Sequence, residues 1–92
     1  MLEKEIEKKL IEKVKKMGGI SPKFISPSYD GMPDRIIIIP FGNIAFVELK
    51  APGKHLRPLQ EKRKRKLESL GVLVFVIDSV DKIDEMLKEV TK

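Results

Sequence analysis

Hydrophobic residues recur every three or four positions near the start of the chain. They are Leu2, Ile6, Leu10, Val14 and Met17. This spacing places them on one face of a helix and predicts an amphipathic helix over residues 2–17. The Gly18-Gly19 pair that follows should end this helix, because glycine readily adopts the left-handed conformation found at helix C-termini.

Three segments with strand character follow the first helix. Residues 22–28 are predicted to form a short strand at an edge of the sheet, since Pro22 and Pro27 cannot occupy a central strand. Two apolar, β-branched runs at 34–39 and 44–49 are separated by a short Phe-Gly-Asn turn. Their spacing predicts a β-hairpin.

The second half of the chain predicts a helix, a strand and another helix. Pro58 suits the first position of a helix over 58–70, which Gly71 ends. Residues 72–77 are continuously apolar, so a strand there should have both faces buried. A last helix covers about 80–90. The predicted order is αβββαβα, an α/β domain with a mixed sheet of about four strands.

The size and composition fit one globular domain over residues 1–92. A net charge of +5 favours a polyanionic partner. The absence of cysteine excludes disulfides and thiol catalysis and fits a reducing, cytoplasmic environment. No apolar stretch approaches the ~20 residues of a membrane span, and the N-terminus lacks the apolar core of a signal peptide.

The candidate chemistry lies in the predicted hairpin. Glu48 and Lys50 point to the same face of one strand, about 7 Å apart. Pairing of the two strands would bring Asp34, at the start of the first, close to Glu48 at the end of the second. Two carboxylates and a lysine suit a hard divalent cation, a water and a phosphate, which predicts a phosphodiesterase site.

Each of these residues also has a simpler interpretation. An aspartate after proline is commonly a turn or cap residue, and a Glu–Lys pair on a strand is commonly a solvated surface pair. Glu48 and Lys50, however, continue a face that carries Ile44 and Phe46. This placement favours the metal site over the solvated pair.

Seven ordered patches of the chain resemble the VRR-NUC (virus-type replication-repair nuclease) family of the PD-(D/E)XK superfamily. The patches are Ile6-Glu7 with Leu10, Gly18-Gly19, Ser26-Pro27, Gly31-Met32-Pro33-Asp34-Arg35, Phe46-Val47-Glu48-Leu49-Lys50, Gln60 and Gly71. The resemblance covers about residues 3–76. The resemblance implies a restriction-endonuclease-like fold and a stand-alone nuclease domain.

The resemblance also implies roles for individual residues. Asp34, Glu48 and the backbone carbonyl of Leu49 would bind Mg²⁺ or Mn²⁺, which prefer oxygen ligands. Lys50 would orient the attacking water and stabilise charge on the phosphate. The helix carboxylate of the family aligns with Glu7.

The acids of the first helix can be ranked by geometry. At ~100° per residue, Glu3 lies near the centre of the apolar stripe and Glu7 roughly 70° to one side. Glu5 and Glu12 lie on the opposite face. Glu7 is preferred as the site carboxylate of this helix, because Glu3 lies in a first turn that frays. Two alternatives stay open: that Glu3 is the site carboxylate, or that the helix acids are only surface charges.

Further residues are candidates for contacts with lysine or phosphate. Gln60, in the first turn of the second long helix, could hold the lysine or a phosphate, or be an ordinary surface residue. The basic run 62–66 and the loop 54–57 are either solvated surfaces or phosphate contacts. The DNA-binding candidates among them are Lys54, His55, Arg57, Lys62, Lys64 and Lys66.

The sequence thus predicts a Mg²⁺- or Mn²⁺-dependent endonuclease acting on branched or structured DNA without sequence specificity. The resemblance implies a junction-resolving homodimer, and the exposed apolar residues around Phe24 to Tyr29 are a candidate dimer surface. A flap or nicking endonuclease is the alternative within enzymes. A DNA-binding module without catalysis, or an RNA-processing or protein-interaction domain, are alternatives of other classes.

Overall fold

The chain forms helices around a mixed β-sheet in a computed structural model that describes residues 2–92. The elements, in chain order, are α1 (Glu3–Lys16), β1 (Arg35–Ile39), β2 (Asn43–Leu49), α2 (Pro58–Ser69), β3 (Val74–Ile77) and α3 (Val80–Val90). The predicted α/β class is confirmed. Each predicted helix differs from the observed one by at most one residue at either end.

The sheet has the strand order β1-β2-β3, with β2 at its centre. β1 and β2 form the predicted antiparallel hairpin, in which Ile37 pairs with Ala45. β3 runs parallel to β2, and Val76 pairs with Glu48. A parallel neighbour needs a crossover connection, and α2 lies in that crossover.

The main core lies on one face of the sheet, between the strands and helices α1 and α3. Its members are fully or almost fully buried apolar side chains, namely Ile6, Leu10, Val14, Ile37, Ile39, Ala45, Val47, Leu49, Ile77, Ile83, Met86, Leu87 and Val90. Because strand side chains alternate, Phe46 and Glu48 point to the opposite face, toward α2. α2 is highly charged, and Gln60 is its one buried residue.

The strand predicted over 22–28 is wrong. Ile20 and Lys23 make isolated antiparallel bridges to Ile38 and Arg35 of β1, but no continuous ladder forms. Pro22 and Pro27 lack the backbone N–H that such a ladder requires. Among the described residues the sheet therefore has three strands, not about four.

The prediction that residues 72–77 form a strand buried on both faces is correct only in part. β3 covers Val74–Ile77 and lies at an edge of the sheet. Val74 and Ile77 are buried, whereas Phe75 and Val76 are half-buried. An edge position exposes part of a strand whatever its hydrophobicity.

The turn between β1 and β2 provides a test of this fold. Phe41 has a φ of 71°, and its side chain is fully exposed. A left-handed backbone costs a residue such as phenylalanine about 1 kcal/mol, and asparagine less. We expect Phe41→Asn to raise the free energy of unfolding by about 0.5–1 kcal/mol, measured by urea denaturation. Leu70→Asn, at an exposed site with a φ of −92°, is the control. An equal gain in both variants would contradict the proposed strain at Phe41.

Candidate active site

Asp34 and Glu48 meet at one end of the β1–β2 hairpin. Arg35 pairs with Val47, and continuing this register by one residue places Asp34 opposite Glu48. Directly opposed residues of an antiparallel pair have Cα atoms about 4.5–5.5 Å apart. The Asp34 Oδ1 atom accepts a hydrogen bond of 3.3 Å from the Leu49 backbone N–H. Asp34 is exposed, whereas Glu48 is only 6% exposed.

The environment of the pair disfavours two negative charges. Burial, followed by the nearby charge of Asp34, raises the pKa of Glu48 to about 7, and Lys50 opposes this shift. Although Asp34 is exposed as a residue, desolvation of its carboxyl group also raises its pKa, against the opposing effects of the Leu49 N–H and the Arg35 charge. The protein therefore does not supply enough positive charge to keep both carboxyl groups ionised. A cation between them would supply it.

The donor set fits a hard divalent cation. Carboxylate oxygens are the ligands that Mg²⁺ and Mn²⁺ prefer, and Mg²⁺ commonly keeps several waters beside one or two carboxylates. Within residues 2–92, no group of three or more His, Cys, Asp or Glu side chains could hold a metal ion together. The remaining ligands would have to come from backbone, water or phosphate oxygens.

Lys50 is held in place by Gln60. The Lys50 ammonium donates a hydrogen bond of 3.0 Å to the Gln60 Oε1 atom. The same oxygen accepts the Arg57 backbone N–H at 2.9 Å, which caps the first turn of α2. Gln60 therefore fixes the lysine by tying β2 to the start of α2. Both side chains lie on the sheet face that carries Glu48.

The acids of α1 take two different positions. Glu7 forms an ion pair with Arg35, which is only 5% exposed and also donates to the Ser21 carbonyl oxygen. Glu3, one helical turn earlier, contributes to the raised pKa values of both Asp34 and Glu48. The preference for Glu7 over Glu3 stays a prediction. Glu7 is engaged by Arg35, whereas the charge of Glu3 acts on both carboxyl groups of the pair, so Glu3 stays open as the helix acid.

The predicted DNA-binding residues are divided among three places. Lys54, His55 and Lys64 line one cavity beside the C-terminal end of β3. Arg57 is exposed at the N-cap of α2. Lys62 and Lys66 follow Gln60 by two and six residues. They are exposed on the side of α2 that is turned away from the sheet.

Two structural contacts near the site were not predicted. Arg35 occupies an inward position on β1 in alternation with Ile37 and Ile39. Because Ile36 and Ile38 on the other face are equally apolar, the sequence does not indicate which face is buried. Arg63 donates to the Asp30 carbonyl oxygen and lies 3.8 Å from the Tyr29 ring centre, fastening the loop before Asp34 to α2. No local pattern signals the second contact.

The fold and the arrangement of acidic and basic residues at the hairpin end define a domain of the nuclease type. The chain is 48% identical over 79 residues to "Putative nuclease p44" of Acyrthosiphon pisum secondary endosymbiont phage 1, covering 86% of this chain and 85% of that protein. A solved structure described as "VRR_NUC domain" superposes with a TM-score of 0.86 at 29% identity, covering 94% of each chain. No family model matches the sequence.

The chain belongs to the VRR-NUC family, as its sequence motifs predicted. None of the helices among residues 2–92 has the length and apolar character that a membrane span requires.

The raised pKa of Glu48 predicts how stability depends on pH without metal. The pKa is about 7 in the folded state and 4.5 ordinarily, so the folded state binds more protons between these values. Stability should therefore fall as pH rises from about 4.5 through 7. Glu48→Gln should remove this part of the dependence and gain on the order of 2 kcal/mol at pH 8.

Urea unfolding in EDTA at pH 5, 6.5 and 8 measures this effect. Glu85→Gln, at an exposed position on α3, is the control and should follow the unmodified protein. Parallel stability curves for the unmodified protein and Glu48→Gln would show that burial does not perturb this carboxyl.

Proposed function

We propose that the protein is a metal-dependent DNA endonuclease. The observation that carries this proposal is the buried carboxyl of Glu48, raised in pKa and opposed by Asp34, with Lys50 fixed beside it. Perturbed carboxyl groups beside an anchored lysine are characteristic of sites that need a cation and an anionic substrate. The name of the phage relative and the VRR-NUC fold support the same activity.

Each residue of the site would have a separate role in the reaction. Asp34, Glu48 and the Leu49 carbonyl would hold Mg²⁺ or Mn²⁺, which supplies positive charge at the phosphate and lowers the pKa of a bound water. The Lys50 ammonium is a point charge that stabilises the developing negative charge on the phosphate oxygens. Gln60 keeps that ammonium oriented, so less reorganisation is needed during reaction.

The surroundings of the site favour a polyanionic substrate. The chain carries a net charge of +5. Lys54 and Arg57 follow Lys50 in the loop that leads to α2, and α2 adds several lysines and arginines. Such residues contact phosphates irrespective of sequence, and the basic run has no aromatic residues between its charges for reading bases.

A binding module without catalysis is the main alternative. It would not require a buried carboxyl next to a phosphate, because that carboxyl repels the anion and its burial lowers stability. The burial of the Glu48 carboxyl group therefore favours an enzyme over a binding module. A protein-interaction function has no comparable feature in its support, whereas the same groups would serve a nuclease acting on the phosphodiester of RNA.

The central test replaces the carboxylates by amides of the same shape. We expect Glu48→Gln or Asp34→Asn to lower the cleavage rate by on the order of 10²–10³ or more, while DNA affinity changes little, because the lost interactions act in the transition state. Glu85→Gln should cleave normally. The assay uses junction, flap, nicked and linear DNA with Mg²⁺ or Mn²⁺.

Metal binding gives an independent measurement. Calorimetric titration with Mn²⁺ should detect binding to the unmodified protein and not to Glu48→Gln. The affinity should increase as pH rises through about 7, since the cation displaces the Glu48 proton. Normal turnover of Glu48→Gln with Mg²⁺ would reject the proposed site.

We further propose that the active form is a homodimer that resolves DNA junctions. A junction has two symmetry-related scissile phosphates, and a two-fold dimer would present two identical sites to them. A small domain also gains stability from pairing its exposed apolar residues. Ile25, within the predicted dimer surface, is 80% exposed and Ile20 nearby is also exposed.

Sedimentation and light scattering at micromolar concentration test the dimer. We expect twice the chain mass of 10.5 kDa for the unmodified protein. Ile25→Asp should shift the equilibrium toward monomer and convert paired junction cleavage into single nicks. Leu70→Asp, at another exposed leucine, is the control. A monomer with and without junction DNA would favour the flap or nicking endonuclease instead.

A further inference from the structure

A second concave site lies next to the carboxylate pair, on the same side of the sheet. A cavity of about 380 Å³ is lined by the loop after β2, the flank of α2 and the C-terminal end of β3. Its volume is within the range of small-molecule pockets. The cavity is open to solvent on one side, and its volume suits one small chemical group.

The cavity begins one strand away from the candidate active site. Val76, which lines it, is the pairing partner of Glu48 in the parallel β2–β3 ladder. Paired residues of neighbouring strands point to the same face about 4.8 Å apart. A strand of DNA with one phosphate at Asp34 and Glu48 therefore has an adjacent nucleotide within reach of the cavity.

The lining supplies two kinds of contact that a nucleotide requires. Leu56 and Val76 are apolar, and the imidazole of His55 lies beside them. Apolar side chains, histidine rings and arginine planes are surfaces on which unpaired bases stack. A paired base could not enter, because its faces and edge are covered by its neighbours in the duplex.

The charge of the lining suits the phosphate of the same nucleotide. The lining holds four cations, Lys54, Lys64, Arg65 and Lys82, and two carboxylates, Glu61 and Asp78, so positive charge exceeds negative charge by two. Lys64 and Lys82 already pair with carboxylates, at 3.1 and 2.8 Å. In the described part of the chain, residues 2–92, Lys54 and Arg65 form no ion pair, so both can bind a new anion.

We propose that this cavity seats one unpaired nucleotide of the DNA strand, next to the phosphodiester that is cleaved. This inference rests on the proposed nuclease function. It narrows the branched substrates to those in which the nucleotide next to the cut is unpaired, as at the base of a flap or at the opened branch point of a junction. The base packs on His55, Leu56 and Val76. Its phosphate lies between Lys54 and Arg65.

The test uses 2-aminopurine, a fluorescent base, in the slowly cleaving Glu48→Gln background. Cleavage sites are first mapped with the active protein. The probe is then placed, unpaired or paired, at each position flanking the cut. We expect unpaired DNA to bind roughly 5- to 100-fold more tightly, with a fluorescence change at one flanking position.

Cavity variants identify where the base is bound. His55→Ala combined with Arg65→Ala should abolish most of the preference for unpaired DNA and the fluorescence change. Lys88→Ala, on the last turn of α3 and outside the cavity, also removes one positive charge and should alter neither. Thermal unfolding of all variants establishes that they remain folded.

The outcomes separate this proposal from the nuclease function. If the active protein cuts none of the DNAs, the proposed function fails and the cavity assignment fails with it. If it cuts them but binds paired and unpaired DNA equally, with no effect of the cavity variants, only the cavity assignment is overturned. Tight binding of free dAMP, independent of any strand, would also overturn it in favour of a mononucleotide site.

Discussion

The antiparallel pairing of β1 with β2 is the constraint on which the rest of the structure depends. Its register places Asp34 opposite Glu48 on one face and Arg35 opposite Val47 on the other. A slip of one residue would exchange the two faces, removing Asp34 from Glu48 and Arg35 from Glu7. Hairpin register thus determines both the candidate active site and the attachment of α1 to the sheet.

The side chains on the two faces of β1 have different roles. Arg35 points inward, where its ion pair with Glu7 and its bond to the Ser21 carbonyl hold α1 and the following loop against the sheet. Asp34 points outward to the site. A buried ion pair contributes more to a unique arrangement than to net stability. Here it also brings the first turn of α1, with Glu3, toward the carboxylates.

The parts of the fold that could be predicted depend on local periodicity. Helical spacing in 2–17 and the apolar runs of the hairpin are properties of consecutive residues, and they were enough to identify the elements and the Asp34, Glu48 and Lys50 cluster. The segment 22–28 has strand-like residues, but its prolines prevent a ladder, so the pattern was misleading. The hydrogen bond between Lys50 and Gln60 and the pairing of Glu7 with Arg35 connect distant segments. Neither follows from periodicity, although family resemblance pointed to Gln60.

The central position of β2 explains why the site is unfavourable without a cation. Neighbouring strands on both sides and α2 above remove Glu48 from water, which raises its pKa and lowers the stability of the ionised form. A divalent cation would reverse both effects, so metal binding and folding stability are linked through the same carboxyl. The edge position of β3 has the opposite consequence. It leaves Val76 half-buried beside Glu48. In the proposed function, a strand of DNA would extend from the scissile phosphate through this opening on the α2 side of the sheet.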